Sequence, residues 1–256
     1  MARMQLVELD AWFRDIMRIA DLEGIDPSLN GIQVTRRNSE VSRIAFAVDA
    51  CVETFHRAVE QGADMLLVHH GIFWGRESRL TGAHYQRIRY LVENDLALYA
   101  VHLPLDMHPE FGNNAGMAAA LRLREVRPFG TFKGQQIGCT GLLPEAQSIE
   151  EIAQTLFGGT DQTLGVLPFG PRQIRSVGLV SGGAPLEVEE AISEHLDLYV
   201  TGDAAHQVYH RAMETGINVI FGGHYLTETW GVRLLSERVA RESDMETLFI
   251  DVPTGL

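Results

Sequence analysis

Short apolar runs alternate with amphipathic segments along most of the chain. The segments between the runs repeat their apolar residues at helical spacing. Short apolar strands separated by helices are typical of parallel sheets covered on both faces, so the pattern predicts an α/β fold. The apolar runs span residues 43–49, 64–70, 96–102, 174–182, 196–203 and 217–224.

The pattern occurs twice. The first three apolar runs, with the helices between them, match the last three in order and approximate length. Aligning Asp64 with Asp197 gives an offset of 133 residues (197 minus 64), and aligning His102 with His224 gives 122 (224 minus 102). A longer loop at 71–83 accounts for the difference. We therefore expect two similar α/β/α lobes with mostly parallel sheets; a chance succession of βαβ units is the alternative.

The segment between the two copies indicates where the second lobe begins. Residues 126–159 have the pattern of a strand, a turn, a second strand and a helix. No low-complexity or charged linker separates the copies, which favours tightly docked lobes. We expect the first lobe at 1–125 and the second at 126–246, with a C-terminal strand at 247–256 that returns to the first lobe.

Composition narrows the class of protein. Of the 256 residues, 45% are apolar and 21% are charged, which is ordinary for a globular chain. A net charge of −13 disfavours nucleic acid or an anionic membrane as the main partner and favours cations. Cys51 and Cys139 lack the spacing of a disulfide framework or a thiolate zinc site. The chain shows no signal-peptide pattern and no run of roughly 20 apolar residues, so we expect a cytoplasmic protein.

Two adjacent histidines end the second apolar run, in the segment "LLVHHGIFWG". Successive strand residues point to opposite faces, so His69 and His70 would diverge if the strand continued. Gly71 permits a turn that brings both rings toward one side. Core packing or capping is the alternative, but two adjacent imidazoles are hard to satisfy by packing.

The same chemistry recurs where the third strand of each copy ends. "HLPLD" supplies His102 and Asp106, and "HYLTE" supplies His224 and Glu228. The four-residue spacing of the second pair places both side chains on one face of a helix start. Because the carboxyl ends of parallel strands form the rim where ligands bind, we expect all of these groups there. Each pair in isolation is also compatible with an ordinary turn or helix start.

Imidazoles and carboxylates without thiolate favour zinc, iron, manganese, cobalt or nickel. Two slightly divergent histidines suit two metals better than one, and a carboxylate can bridge two ions roughly 3.5 to 4 Å apart.

Other sequence signals for a functional site are weaker. Asp49 could support a ligand or cap a helix, and "SGGAP" at 181–185 could hold a phosphate or form a structural turn. His206 and His210 are expected to form a surface pair.

The motifs "LLVHHG", "YAVHLPLDMHPEFGNNAGMAAAL" and "GGHYLTETWG", with "NGIQV" near the start, resemble those of the NIF-three-like dinuclear metal-centre family, the GTP cyclohydrolase 1 type 2 homologues. The resemblance covers residues 30–252 and fits the shorter branch, which lacks an inserted domain. It implies two α/β lobes with a paired metal site in the cleft between them, and a toroidal homohexamer. The implied ligands are His69, His70, Asp106, His224 and Glu228, with His102 as a ligand or a neighbour of one.

The resemblance implies a metal-dependent hydrolase that acts on a small molecule, a nucleotide such as GTP being the first candidate. His102 and Glu228 are the candidate proton carriers. The alternative is a metal storage, insertion or chaperone protein that uses the same ligands without turnover. Metal identity is left open by the sequence.

Overall fold

The computed structural model describes residues 2–76 and 78–256. Its helices are α1 (Leu6–Ile16), α2 (Val52–Glu60), α3 (Gly82–Glu93), α4 (Leu103–Met107), α5 (Asn113–Ala120), α6 (Ile149–Phe157), α7 (Val188–Ser193), α8 (His206–Thr215) and α9 (His224–Ser243). Its strands are β1 (Met4–Gln5), β2 (Gly31–Val34), β3 (Glu40–Val41), β4 (Arg43–Asp49), β5 (Met65–His70), β6 (Ala97–Ala100), β7 (Arg124–Phe132), β8 (Gln135–Gln147), β9 (Gly165–Pro168), β10 (Ile174–Val180), β11 (Leu198–Thr201), β12 (Asn218–Phe221) and β13 (Glu246–Phe249).

The chain divides into two compact units. Unit 1 comprises the residues up to Leu105 together with Val232–Val252. Unit 2 comprises Asp106–Gly231 and Pro253–Leu256. The mixed α/β class predicted by the sequence is confirmed, and each of the six apolar runs forms a strand that is equal to or shorter than its run.

Unit 1 is built on a sheet in the order β13-β4-β5-β6-β2. Pairing is parallel from β13 through β6, whereas β2 joins β6 antiparallel at the edge. The strands are short and almost fully buried because helices cover them, which explains their continuous apolar sequence. Apolar side chains such as Leu66, Val68 and Leu98 pack with Phe55 of α2 and Leu91 of α3 in one core cluster.

Unit 2 contains a sheet in the order β7-β8-β10-β11-β12-β9. The central strands β10, β11 and β12 are parallel, and antiparallel strands flank them on both sides. This sheet is therefore mixed, while that of unit 1 is mostly parallel. The core includes Ile152 and Leu156 of α6, packed with Val177, Leu198 and Ile220 of the sheet.

The two units repeat one arrangement at their centres. Ile44 pairs with Met65 in unit 1, and Val177 pairs with Leu198 in unit 2, an offset of 133 for each partner (177 minus 44, 198 minus 65). This confirms the first sequence alignment.

The third strands of the repeat are aligned differently. Met65 pairs with Ala97, and Leu198 pairs with Asn218, which gives an offset of 121 (218 minus 97) rather than the expected 122. His224 therefore follows its strand one residue later than His102 does. The sequence alignment matched the histidines, whereas the backbone register matches the strands.

In the described parts of the chain, residues 2–76 and 78–256, no helix combines the length and apolar character that a bilayer crossing needs. Cys51 and Cys139 are both free thiols. Burial raises the pKa of the Cys139 thiol to about 12, so this group stays protonated at neutral pH.

Candidate metal centre

Three of the predicted ligands come together in unit 1. His69 and His70 end β5, and His102 follows the adjacent strand β6. One ring nitrogen of each lies within 4.8 Å of the others. The ring centroids of His69 and His70 are 4.6 Å apart, and that of His102 is 5.1 Å from His69 and 5.7 Å from His70. Neighbouring parallel strands thus place three imidazoles at one end of the sheet.

Each of these rings is held by its Nδ1 atom. His69 is buried, and its Nδ1 lies 3.0 Å from the carbonyl oxygen of Val101. His70 Nδ1 lies 2.9 Å from Oδ1 of Asp49, the residue opposite it in the strand register. An acceptor at Nδ1 fixes the tautomer and makes Nε2 the nitrogen that a metal would use. Of the two roles considered for Asp49, the structure supports that of orienting a candidate ligand, His70.

His102 is held by residues that the sequence reasoning did not single out. Its Nδ1 lies 2.8 Å from Oδ1 of Asp26, and its backbone N–H donates to the side chain of Asn30 at 2.7 Å. The Asp26 side chain is 2% exposed. Burial would raise the pKa of Asp26, but the hydrogen bond and charge of His102 and further hydrogen bonds outweigh it and hold the pKa below its ordinary value. The carboxylate therefore stays ionised beside the ring.

Gly71 has a different purpose from the one expected. Its backbone does not adopt a left-handed conformation, so conformational freedom is not what the position requires. A Cβ at this position would lie 2.4 Å from the carboxamide of Gln33. That carboxamide accepts from the N–H of Ile72 at 2.7 Å and donates to the carbonyl of Leu29 at 2.9 Å. Glycine thus lets Gln33 clamp the segment that follows the two histidines.

In unit 2, His224 and Glu228 lie one turn apart at the start of α9. Their Nε2 and Oε1 atoms are 3.2 Å apart, as the four-residue spacing predicted. Asp203 follows β11 by two residues, and its Oδ1 lies 2.9 Å from Nδ1 of His224. Burial opposes charge on His224, but the hydrogen bond and charge of Glu228, followed by those of Asp203, raise its pKa to about 9.

Asp106 is buried in a polar network. Its Oδ1 accepts from the Ser181 hydroxyl at 2.7 Å and from the Asn113 amide at 2.9 Å. Asn114 donates to the Asp106 carbonyl at 3.2 Å and accepts from the Ser181 N–H at 2.9 Å. Asn113 thus holds the Asp106 carboxylate, while Asn114 holds the main chain of Asp106 and of Ser181.

Residues 181–185, "SGGAP", form a tight turn that serves this cluster. Gly182 has a φ of +67°, and a Cβ there would lie 2.2 Å from Oε1 of Glu228. The helix that follows, α7, is only six residues long and is preceded by a 3-10 turn. The structure therefore supports the structural reading of this motif over the phosphate-binding one. His206 and His210 lie exposed on α8, as expected for a surface pair.

The donor set fits divalent transition metals. Four imidazoles and two carboxylates are nitrogen and oxygen ligands, and neither cysteine belongs to the set. Every one of these histidines has an acceptor at Nδ1, which is the arrangement usual for metal-bound histidine. Unit 1 groups His69, His70 and His102; unit 2 pairs His224 with Glu228 and fixes Asp106 through Ser181.

The profile of the Duf34/NIF3 (NGG1p interacting factor 3) family matches residues 4–255. The chain belongs to the Duf34/NIF3 family. A relative from Treponema pallidum, named GTP cyclohydrolase 1 type 2 homolog, is 41% identical over 97% of this chain and 99% of its own. A protein of the same name from Halobacterium salinarum is 43% identical over 99% of this chain and 100% of its own.

Solved structures of similar proteins share the fold. The protein ybgI, described as of unknown function, has a TM-score of 0.89 at 32% identity and covers 99% of this chain and 100% of its own. TTHA1606 from Thermus thermophilus has a TM-score of 0.84 at 37% identity, with the same coverage. The Duf34/NIF3 assignment thus agrees with the resemblance seen in the sequence motifs.

Proposed function

We propose that this Duf34/NIF3 chain binds two divalent transition-metal ions and uses them to hydrolyse a small molecule. The six ligands are His69, His70, His102, Asp106, His224 and Glu228, and the ions come from the group zinc, iron, manganese, cobalt and nickel. The observation that carries the proposal is the common orientation of the four histidines. A metal-binding histidine almost always donates its other ring N–H to a carboxylate, a backbone carbonyl or water, and all four histidines have such an acceptor.

The bound ions would lower the pKa of a water molecule toward neutrality and polarise the bond under attack. Glu228 would handle the proton of the attacking water. His102 could do so only in place of binding a metal, because a ring that binds metal through Nε2 and Asp26 through Nδ1 has no nitrogen left to take a proton. In that case the Asp26 carboxylate would orient the ring and stabilise its imidazolium form. Glu228 is 3% exposed, so few water molecules compete for its carboxylate as the proton acceptor.

A purine nucleotide is the first substrate to test, because the relatives carry the name GTP cyclohydrolase 1 type 2 homolog. In that reaction one water molecule attacks C8 and opens the imidazole ring, and a second water releases formate. A family name assigns no activity to this chain, so hydrolysis must be measured with formate as the readout.

The experiment measures metal content per folded chain by plasma mass spectrometry on untagged wild type, His69→Ala and Glu228→Gln, followed by formate release from GTP. We expect about two equivalents of metal in wild type, less in both variants, and turnover that a chelator abolishes. Val7→Ala, which truncates an exposed residue of α1, is the matched control. Metal content near zero in wild type, or unchanged in both variants, contradicts the metal site.

A second candidate function is metal storage or delivery. Three ligand side chains remain partly open to solvent, with exposures of 16% for His70, 17% for His102 and 34% for His224. Exposed ligands favour exchange of the ions. A carrier transfers metal to an apo acceptor faster than the metal dissociates to a chelator, whereas a catalyst retains its metal through turnover.

We also propose that the chain acts in the cytoplasm as a homohexamer. Its free cysteines accord with a reducing compartment, and the hexamer follows from the family resemblance. Sedimentation equilibrium on the metal-loaded protein tests the assembly, and a monomeric mass contradicts it.

A further inference from the structure

Trp74 borders the histidine cluster of unit 1. The centroid of its ring lies 5.1 Å from that of His102, at an interplanar angle of 79°, and 5.9 Å from that of His70. The indole Nε1–H donates to the carbonyl of Gly71 at 3.1 Å. The polar edge of the indole is therefore satisfied by the loop itself, and the ring sits edge-to-face against a candidate ligand.

Trp74 is more exposed than the other two tryptophans. Trp74 is 39% exposed, while Trp12 and Trp230 are both half-buried. Removing aromatic surface from water is favourable, so an exposed tryptophan beside a polar cluster leaves apolar surface for another molecule to cover.

The loop that carries Trp74 is held in place before any ligand arrives. Gln33 accepts hydrogen bonds from the N–H groups of Ile72 and Phe73, at 2.7 and 3.3 Å. The Phe73 carbonyl in turn accepts from the N–H of Leu29 at 3.0 Å. A loop held by these hydrogen bonds loses little conformational entropy when it binds a ligand.

We propose that Trp74 is a specificity-determining residue, on whose ring a flat, uncharged heteroaromatic ring of the substrate stacks. This inference rests on the proposed function, because the ring is placed beside the metal ligands. A cationic ligand could also stack on an indole. Divalent ions at His70 and His102 would repel it, because unlike a neutral ring it would bring positive charge close to them.

The experiment uses the metal-loaded full chain and three variants: Trp74→Leu, which keeps apolar bulk without an aromatic ring, Trp74→Phe, which keeps a ring, and Tyr209→Leu. Tyr209 is an exposed aromatic residue on α8 and is the matched control. The probes are GTP, guanosine and inorganic tripolyphosphate, and calorimetry gives each Kd. Metal content is measured on every sample first.

We expect Trp74→Leu to raise the Kd of GTP and of guanosine by about tenfold or more, since stacking of one base contributes on that order. Trp74→Phe and Tyr209→Leu should stay within about threefold of wild type, and tripolyphosphate should bind all four proteins alike. Metal content should not change.

The inference is overturned if Trp74→Leu binds GTP as tightly as wild type, if the affinities for GTP and tripolyphosphate fall in parallel, or if wild type binds neither GTP nor guanosine. Any of these results with full metal content contradicts the stacking role and leaves the metal site standing. Absence of metal from wild type contradicts the proposed function itself.

Discussion

The carboxylates of Asp64 and Asp197 perform the same task 133 residues apart. Asp64 accepts from the backbone N–H groups of Ser42 and Arg43 at 2.8 and 3.1 Å. Asp197 accepts from those of Arg175 and Ser176 at 2.8 and 3.0 Å. In each unit, an aspartate just before the second strand of the repeat thus accepts hydrogen bonds from the backbone at the start of the first strand.

Asp64→Asn should destabilise the protein in a pH-dependent manner. Burial raises the pKa of Asp64, but hydrogen bonds from Ser42, Arg36 and Arg43 outweigh burial and lower it. A lowered folded-state pKa gives stability that is present above the unfolded pKa of about 3.9 and lost as pH falls through the folded value. We expect a loss of about 1 to 3 kcal/mol at pH 7 that shrinks as the pH falls through the lowered folded-state pKa of Asp64.

Urea unfolding at several pH values measures this effect. Asp15→Asn is the control, because it makes the same charge change on an exposed face of α1. A penalty for Asp64→Asn that is equal at pH 7 and at acid pH would show that the carboxylate charge is not responsible.

Gly182→Ala should reduce metal occupancy by more than the strain of a positive φ alone would cause. The new methyl group would meet Oε1 of Glu228, and the φ of +67° adds strain of roughly 1 kcal/mol. Gly216→Ala is the matched control: its φ is +69°, but the nearest atom to a new Cβ is 3.7 Å away. We expect both variants to lose similar stability and only Gly182→Ala to lose metal. Equal metal content in the two proteins would remove Glu228 from the ligand set.

Asp203→Asn should weaken metal binding while the fold persists. The carboxylate holds Nδ1 of His224, and loss of such a partner typically lowers metal affinity by about 10- to 100-fold. Competition with a chromophoric chelator measures the affinity. Asp161→Asn removes an exposed charge from the same unit and should leave it unchanged. An unaltered affinity in Asp203→Asn would mean that His224 does not bind the metal through Nε2.

Asn114→Ala should be strongly destabilising. This buried amide donates to the carbonyls of Asp106 and Ile137 and accepts from the N–H of Ser181. Removing it leaves several buried polar groups without that partner, at about 1 to 3 kcal/mol for each. Denaturant midpoints compared with Asn94→Ala, at the exposed end of α3, measure the difference. A midpoint that matches the control would contradict the importance of this network.

Local patterns predicted much of this molecule. The strands, the helices and the spacing of His224 and Glu228 depend on neighbours in sequence, and the structure bears them out. Parallel strands also place their ends together, which is why His69, His70 and His102 could be grouped before the fold was known.

The supporting residues could not be found in the same way. Asp26 lies 76 residues from His102, and Ser181 lies 75 residues from Asp106. An aspartate in a loop or a serine in a glycine-rich turn has no local periodicity to mark its purpose. The strand registers bring them to the ligands, and a one-residue error in register, such as that at His224, suffices to change which residues face each other.

The acceptor on His69 differs in kind from those on the other three histidines. Its Nδ1 bonds to a main-chain carbonyl, that of Val101, whereas the others rely on Asp49, Asp26 and Asp203. No side-chain replacement at Val101 deletes that oxygen. A mutation of Asp49, Asp26 or Asp203 can therefore remove the acceptor that orients one imidazole. The acceptor of the fourth, His69, belongs to the peptide backbone and is kept whatever residue stands at position 101.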